Sequence, residues 1–259
     1  MKYEFDGETY AKASAHQTEW GMQIASELEL DGNEHLIDIG CGDGRITRAL
    51  AFRVPRGRVI GVDSSPGMIS TAKQYETANL RFTTLDANDL AYEGEFDVVF
   101  SHATLHWIKN HTALLQCVHA ALRKPKGYAR LNFAGKGTAA ILLSILEDTT
   151  SESEYSPYFS EMEPPWFMPS EEEYRVLLAA SSFGSFHLRK QIFTRHFPDK
   201  EALVKWIDHP MLVPFLAVLP KDKHAAFREA VLQRTVAATR QKDGRYCESF
   251  SRLDIWATA

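Results

Sequence analysis

Residues 36–44 read Leu-Ile-Asp-Ile-Gly-Cys-Gly-Asp-Gly, an apolar run that leads into three glycines spaced by single residues. The segment His35–Ile39 is typical of a buried strand, and Arg45–Phe52 after the glycines is typical of a helix. Glycines at such a junction permit a tight turn and a close approach of the backbone to a ligand. The stretch therefore predicts a strand–turn–helix unit with a ligand site at the carboxyl end of the strand.

Apolar runs continue to alternate with helix-like stretches downstream of this unit. We predict further strands at Arg58–Val62, Leu80–Leu85, Phe96–Phe100 and Tyr128–Phe133, and extended segments at His187–Phe197 and Ser249–Thr258. Strands that alternate with helices are the signature of βαβ units around a parallel sheet. The fold class that we predict is α/β, with a doubly wound, mostly parallel seven-stranded sheet.

The pattern changes after Gly137, where helical segments interrupt the regular alternation. We expect a single domain over residues 1–259, because short insertions into such a core usually build a cap over a binding cleft. The core is expected at about 30–137, 171–197 and 246–259, and the cap or lid at about 1–20, 138–170 and 198–245. Within the cap we expect helices at roughly 200–218 and 221–241, and an acidic, aromatic stretch at 151–163.

Composition favours a small-molecule ligand. The formal net charge is −5, and the basic excess that drives non-specific nucleic-acid binding is missing. Cys41, Cys117 and Cys247 are widely spaced, which disfavours a disulfide framework or a zinc site. The apolar runs are too short to span a bilayer. We expect a cytoplasmic protein, monomeric or dimeric, with no membrane or nucleic-acid partner.

The spacing of the glycines and one downstream acid together indicate a nucleoside ligand. The dinucleotide fingerprint is GxGxxG, whereas Gly40, Gly42 and Gly44 form GxGxG, which disfavours a pyrophosphate. Asp63 ends the second predicted strand, where a carboxylate can accept hydrogen bonds from both ribose hydroxyls. A plain tight turn for the glycines and a helix N-terminal acid at Asp63 are the structural alternatives.

Three more candidates follow the third and fourth strands. Asp86 comes at the end of the third strand, and its carboxylate can accept from an adenine amino group, although an ordinary turn would also explain it. Ser101 and His102 follow the fourth strand. Because carboxyl ends of parallel strands share one edge, we expect these residues near the glycine turn.

Four stretches resemble the motifs of class I S-adenosylmethionine-dependent methyltransferases: DIGCGDG at 38–44, GVDSS at 61–65, LDAND at 85–89 and FSHATLHWI at 100–108. Within that class the chain most resembles the trans-aconitate methyltransferases, which esterify a tricarboxylate. The stretches RHFPDKEALVKWI at 195–207 and FSRLDIWA at 250–257 extend the likeness over nearly the whole chain. The resemblance implies a Rossmann-like methyltransferase fold with a helical cap, and S-adenosyl-L-methionine as the cofactor.

The resemblance also implies roles for single residues. The three glycines would approach the methionine and ribose parts of the cofactor, and Asp38 would orient the methionine amino end. Asp63 would hold the ribose hydroxyls, with Ser64 beside it. The remaining implied contacts are those of Asp86 and Ala87 with adenine and of the Ser101 carbonyl with the methionine amine.

On the acceptor side, the segment 10–17 resembles the family's lid. Juvenile hormone acid methyltransferases are similar in plan, and in them a glutamine and a tryptophan at the places of Gln17 and Trp107 are associated with the substrate carboxylate. An exposed helix residue and a core aromatic are the structural alternatives. His102, His106 and His111 would donate hydrogen bonds to an acid, or one of them would act as a base for another acceptor.

We therefore expect a methyltransferase that acts on a small carboxylic acid such as trans-aconitate. The alternative is a hydroxyl or ring-carbon acceptor with a cleft histidine as base. A nicotinamide-dependent oxidoreductase and a non-catalytic cofactor-binding module are the competing classes. No metal is expected, because His102 and His106 lack a suitably spaced acidic third ligand.

A substrate with several carboxylates would need cationic side chains to bind it. The candidates for this role are Arg195, His196 and Lys205.

Overall fold

The computed structural model describes residues 15–259. Its strands are β1 (His35–Ile39), β2 (Arg58–Asp63), β3 (Leu80–Thr84), β4 (Val98–His102), β5 (Tyr128–Ala134), β6 (Ser185–Phe197) and β7 (Tyr246–Thr258). Its α-helices are α1 (Ala15–Ser26), α2 (Arg45–Arg53), α3 (Pro66–Ala72), α4 (His111–Ala121), α5 (Ala140–Ser151), α6 (Ser156–Phe159), α7 (Glu171–Ala179), α8 (Lys200–Trp206), α9 (Val213–Leu216) and α10 (His224–Thr239). No helix among these residues is both long and apolar enough to cross a membrane.

The seven strands form one sheet in the order β3-β2-β1-β4-β5-β7-β6. Strands β1 to β5 pair in parallel, and β7 runs antiparallel to β5. The order reverses between β1 and β4, which is where ligands bind in open α/β sheets. The predicted fold class, a doubly wound and mostly parallel seven-stranded sheet, is confirmed.

The chain divides into two compact units. The first contains the described residues up to 136, with 166–191 and 252–259, and the second contains 137–165 and 192–251. In the first unit, alternate residues of the central strands point to opposite faces of the sheet. Ile37 and Ile39 lie in a cluster with apolar residues of α4 and α7, whereas Leu36 lies in a cluster with residues of α1, α2 and α3.

The second unit has an aromatic interior of its own. Tyr155 and Phe159, from the acidic stretch at 151–163, both pack on Phe227 of α10, with ring centroids 5.1 and 5.6 Å away. This supports a packing role for these aromatics. The buried carboxylate of Glu248 accepts the backbone N–H of Leu142 and so caps α5. The role of this unit as a cap, within a single domain, stays a prediction.

Most predicted elements have a boundary that differs by one to three residues in the structure, and one predicted helix is broken. Strand β4 begins at Val98 rather than Phe96 and extends to His102, because its ladder with β5 continues to Asn132. The predicted helix at 200–218 is broken into α8, a five-residue π-helical turn and α9. The break falls at His209, whose φ is −139°, because the residue before a proline disfavours the helical region.

A buried ion pair joins β5 to β7. The guanidinium of Arg130 donates to the carboxylate of Asp254, and both side chains are almost fully buried. The same carboxylate accepts from Asn132 Nδ2 at 3.1 Å and Arg189 Nε at 2.8 Å, and Arg130 also reaches Glu27 at 2.7 Å. Burial alone would raise the pKa of Asp254, but these donors and the Arg130 charge outweigh it and lower that pKa.

Removal of Asp254 tests this pair. We expect Asp254→Ala to lower the free energy of unfolding by about 3 kcal/mol or more, because it leaves a buried arginine without its main counter-charge. Urea unfolding followed by circular dichroism measures the change. Asp243→Ala removes an exposed carboxylate that pairs with Arg245 and should leave stability nearly unchanged. Equal losses in the two variants would contradict the prediction.

Candidate active site

The glycine turn follows β1 and is tied to the end of β2. The backbone N–H groups of Gly40 and Cys41 both donate to the Val62 carbonyl, at 2.7 and 3.0 Å. Gly40, Gly42 and Gly44 all have positive φ angles, of 73°, 55° and 83°. A residue with a side chain is strained in this left-handed region, so the turn favours glycine at each position.

The three glycines differ in what surrounds them. A Cβ at Gly40 would lie 2.1 Å from Thr104, and one at Gly44 would lie 2.8 Å from both Ala72 and Phe82. A Cβ at Gly42 would meet no atom within 4 Å. Gly40 and Gly44 are therefore required by packing, whereas Gly42 presents bare backbone to open space that a ligand can use.

Asp63 ends β2 beside this turn. One carboxylate oxygen accepts the N–H of Gly42 at 3.0 Å, and the other accepts the N–H of Ser65 at 2.9 Å. Burial raises the pKa of Asp63, and hydrogen bonds from the backbone of Ser65, Gly42 and Ser64 partly offset this. Ser65, not Ser64, caps α3 by accepting from Met68 N, and Ser64 is exposed.

Asp38 comes two residues before the first glycine of the turn and is almost fully buried. Its carboxylate accepts the Thr47 hydroxyl at 2.6 Å. Burial raises the pKa of Asp38 to about 7, and the Asp63 charge adds to the rise. Burial and the charges of both aspartates also raise the pKa of Cys41 well above its usual range. The turn therefore carries a negative electrostatic potential that suits a cationic ligand.

The predicted ligand-binding residues at the ends of the third and fourth strands lie at the same carboxyl edge of the sheet as the glycine turn. Asp86 Oδ1 accepts from the backbone and side-chain amides of Asn88 at 3.0 and 2.8 Å, and so opens the short 3₁₀ turn at Ala87–Asp89. Ser101 is fully buried, and its hydroxyl donates to the Ile39 carbonyl at 2.7 Å. The carbonyl role that the resemblance implies for Ser101 stays a prediction.

His102 is held in one tautomer by its neighbours. Its Nε2 lies 3.0 Å from the Gln17 carbonyl, which only accepts, so Nε2 carries the proton. The other nitrogen, Nδ1, then accepts from Arg252 Nη2 at 3.4 Å. Burial and the Arg252 charge hold the pKa of His102 well below its usual value. Both nitrogens are therefore in use, and neither is available as a base.

His111 is engaged in the same way. Its Nε2 donates to the Leu105 carbonyl and its Nδ1 accepts from the Tyr174 hydroxyl, both at 2.9 Å. His106 differs, because its buried Nδ1 has no hydrogen-bond partner among residues 15–259. Burial, then the charges of Arg252 and His111, lower the pKa of His106 to about 3. His106 is therefore a neutral ring at physiological pH with an unused nitrogen.

Gln17 and Trp107 flank these histidines. Gln17 belongs to α1 and contributes the carbonyl that His102 binds. The ring of Trp107 lies 5.5 Å from that of His106 and 5.7 Å from that of Trp166. Contact of either side chain with an acceptor stays a prediction. The first part of the predicted lid, at 10–14, lies outside the described residues.

Arg252 is a site residue that the sequence analysis does not identify. It lies on β7 opposite Ala134 and is almost fully buried. Its Nε donates to Asn132 Oδ1 at 2.9 Å, and its guanidinium carbon is 5.8 Å from the centre of the Trp20 ring. The signal in the sequence is a charged residue inside an apolar closing strand, since buried arginines are rare unless they are paired.

The cations that the sequence suggests belong to the second unit. Lys205 is exposed and pairs with Glu201 at 2.7 Å, and His196 is exposed on β6. Arg195 lies among aromatic rings and is half-buried. Among residues 15–259, no cluster of three or more metal-ligating side chains is present.

Comparisons with known proteins decide the class of activity. Residues 36–127 match the methyltransferase domain family. The trans-aconitate 2-methyltransferase of Acidovorax sp. (strain JS42) is 26% identical over 98% of both chains, and that of Azoarcus sp. (strain BH72) is 27% identical over 96% of both. The chain is an S-adenosylmethionine-dependent methyltransferase. These matches decide against the oxidoreductase and non-catalytic alternatives.

Solved structures confirm the Rossmann-like fold of this methyltransferase. The YcgJ protein of Bacillus subtilis superposes with a TM-score of 0.62, at 17% identity, over 94% of this chain and 97% of that one. Phosphoethanolamine N-methyltransferase 2 of Haemonchus contortus, solved with S-adenosyl-L-methionine, gives a TM-score of 0.60 at 18% identity, over 97% of this chain and 56% of that one.

Gly42→Ala tests whether the open space at the turn belongs to the cofactor. We expect the affinity for S-adenosylhomocysteine, measured by calorimetry, to fall at least tenfold, because the new methyl group occupies the approach to the backbone. The control is Gly94→Ala, which has a similar φ of 62° and equally open surroundings. Both changes should cost about 1 kcal/mol of stability. Similar affinities in the two variants would contradict the assignment.

The raised pKa of Asp38 predicts pH-dependent binding. Below pH 7 this carboxyl becomes protonated, so a ligand that carries an ammonium group loses its counter-charge. We expect the affinity for S-adenosylhomocysteine to fall by up to about tenfold per pH unit below pH 7 and to level off above it. Calorimetry between about pH 5.5 and 8.5 measures this dependence. In Asp38→Asn the dependence should flatten, and an unchanged slope would refute the assignment.

Proposed function

We propose that this methyltransferase transfers the methyl group to a carboxylate of a small organic acid, with trans-aconitate as the first candidate. The observation that carries the proposal is a buried Arg252 beside His102, whose two ring nitrogens are both occupied. Relatives named trans-aconitate 2-methyltransferase, similar over nearly the full length, support the same class of acceptor.

The charge at this edge favours an anion. Burial is the main cause that lowers the pKa of His102 and His106, and the Arg252 charge is the next cause in both, so a positive potential reaches both rings. In a site with little water such a potential is strong and attracts a carboxylate. Gln17 and Trp107 are proposed to contact that carboxylate, as the resemblance implies.

The hydrogen bonds at this edge fit an acceptor that needs no base. A carboxylate is ionised at neutral pH and is already a nucleophile, so the protein has only to orient it and exclude water. His102 and His111 have both ring nitrogens engaged. A neutral His106 with an N–H or a lone pair to spare can still orient an acceptor by a hydrogen bond.

The glycine turn fits the cofactor in shape and charge. Bound S-adenosylmethionine supplies a methyl carbon attached to a positively charged sulfur. Gly42 leaves room for close approach, and the carboxylates of Asp38 and Asp63 offset positive charge there. Asp38 is proposed to hold the ammonium group, and Asp63 the ribose hydroxyls, with an oxygen that also binds Gly42.

The remaining cofactor contacts follow the same edge of the sheet. Asp86 and Ala87 are proposed to meet the adenine, and the Ser101 carbonyl to meet the methionine amine. Ser64 is exposed next to Asp63 and is proposed to lie beside the ribose. Gly40 and Gly44 contribute by shaping the turn, since packing leaves no room for a side chain at either position.

A hydroxyl or ring-carbon acceptor is the second candidate. The observation in its favour is the buried Nδ1 of His106, which has no hydrogen-bond partner among residues 15–259, unlike the ring nitrogens of His102 and His111. A pKa of about 3 makes His106 a weak base at neutral pH, because general bases work best with a pKa near the working pH.

The decisive experiment is transfer of a labelled methyl group to trans-aconitate. We expect a product that alkali hydrolyses, as it does a methyl ester, and a kcat that is flat from about pH 6.5 to 9 at saturating cofactor. His106→Ala should lower kcat by less than about tenfold, whereas loss of a true general base costs about 10²- to 10⁴-fold. Rates across pH measure both.

His187→Ala, at an exposed position on β6, is the matched control and should match the wild type. An alkali-stable product, together with a loss beyond about a hundredfold in His106→Ala, would support the second candidate. Binding of S-adenosylhomocysteine without transfer to any acid would refute the carboxylate proposal.

A further inference from the structure

Arg195 lies in an aromatic cradle of the second unit. Its guanidinium carbon is 4.4 Å from the centre of the Phe197 ring, 5.7 Å from that of Phe250 and 5.9 Å from that of Trp206. The three rings come from β6, β7 and α8, and each is buried. Separate elements of this unit therefore converge on one cation.

This cation lacks the charged partners that Arg228 and Arg234 of the same unit have. Among residues 15–259, Arg195 makes contacts with rings but neither a hydrogen bond nor an ion pair. By contrast, Arg228 donates twice to Asp208 at 2.7 Å, and Arg234 pairs with Glu152 at 2.5 Å. Partial burial lowers the pKa of Arg195 to about 10, which reflects the cost of a desolvated charge.

The cradle prepares the guanidinium for a planar anion. Stacking on rings restricts the orientation of the group, so less freedom is lost when a ligand binds. The planar fork of N–H donors matches a carboxylate in a two-bond arrangement. Aromatic rings beside such a pair lower the local dielectric constant, which strengthens it, and they offer contact to a carbon skeleton. A phosphate is normally bound by several cations or backbone N–H donors, whereas here a single guanidinium lies among three aromatic rings.

We propose that Arg195, with Phe197, Trp206 and Phe250, forms a carboxylate-binding site of the second unit. The ligand is a small organic acid, and the site is proposed for this unit by itself, so it does not rest on the proposed function.

Calorimetry with trans-aconitate, a tricarboxylate, tests the site in the full chain with S-adenosylhomocysteine present. We expect Arg195→Met to weaken binding by about 10- to 100-fold, as expected for hydrogen bonds to a charged group. Arg195→Lys should be intermediate, because it keeps the charge but loses the fork. The control is Arg240→Met, an exposed arginine of the same unit, which should bind like the wild type. Thermal unfolding identifies any variant that fails to fold.

Parallel kinetics separate this site from the proposed function. Crotonate, a monocarboxylate, should be methylated equally by the wild type and by Arg195→Met, because methyl transfer does not depend on the site. Unchanged binding in folded Arg195→Met or Arg195→Lys overturns the site, as does a wild type that binds no carboxylate. A wild type that binds trans-aconitate through Arg195 but transfers no methyl group refutes the proposed function alone.

Discussion

Two backbone N–H groups share one carbonyl at the centre of the first unit. Gly40 and Cys41 both donate to Val62, which fixes the glycine turn against the end of β2. That anchor brings the N–H of Gly42 within 3.0 Å of the Asp63 carboxylate. The positive φ angles, the open face at Gly42 and the close aspartates all depend on it, so the geometry of the turn is set by backbone bonding before any ligand arrives.

Charge is distributed unequally along the carboxyl edge of the sheet. Asp38 and Asp63 make the glycine turn negative, and their effect reaches the thiol of Cys41. Beside His102 the sign is reversed, because burial and then the charges of Arg252 and Arg130 lower the pKa of that histidine. A methyl donor carries positive charge and a carboxylate acceptor carries negative charge. The two potentials therefore complement the two reactants that we propose.

Local sequence was sufficient to predict the core of the fold. The strand His35–Ile39 was predicted with both ends correct, because a buried parallel strand is a continuous apolar run between recognisable breaks. The positions of the glycine turn and of Asp63 were predicted equally well, since both lie within one βαβ unit. The tautomer of His102 could not be predicted, because its hydrogen-bond partners are Gln17 and Arg252, which lie 85 and 150 residues away in the chain. Such distant contacts leave no local pattern. The charge of Arg252 inside an apolar strand is visible in the sequence, but its partners are not.

Gly21 and His102 together tie the helix α1 to the sheet. A Cβ at Gly21 would lie 2.9 Å from the His102 ring, so the helix can approach only because this residue has no side chain. The same ring bonds the Gln17 carbonyl on one side and Arg252 on the other. The position of α1 and the orientation of this imidazole are therefore mechanically coupled, since neither can change without breaking the hydrogen bond that joins them.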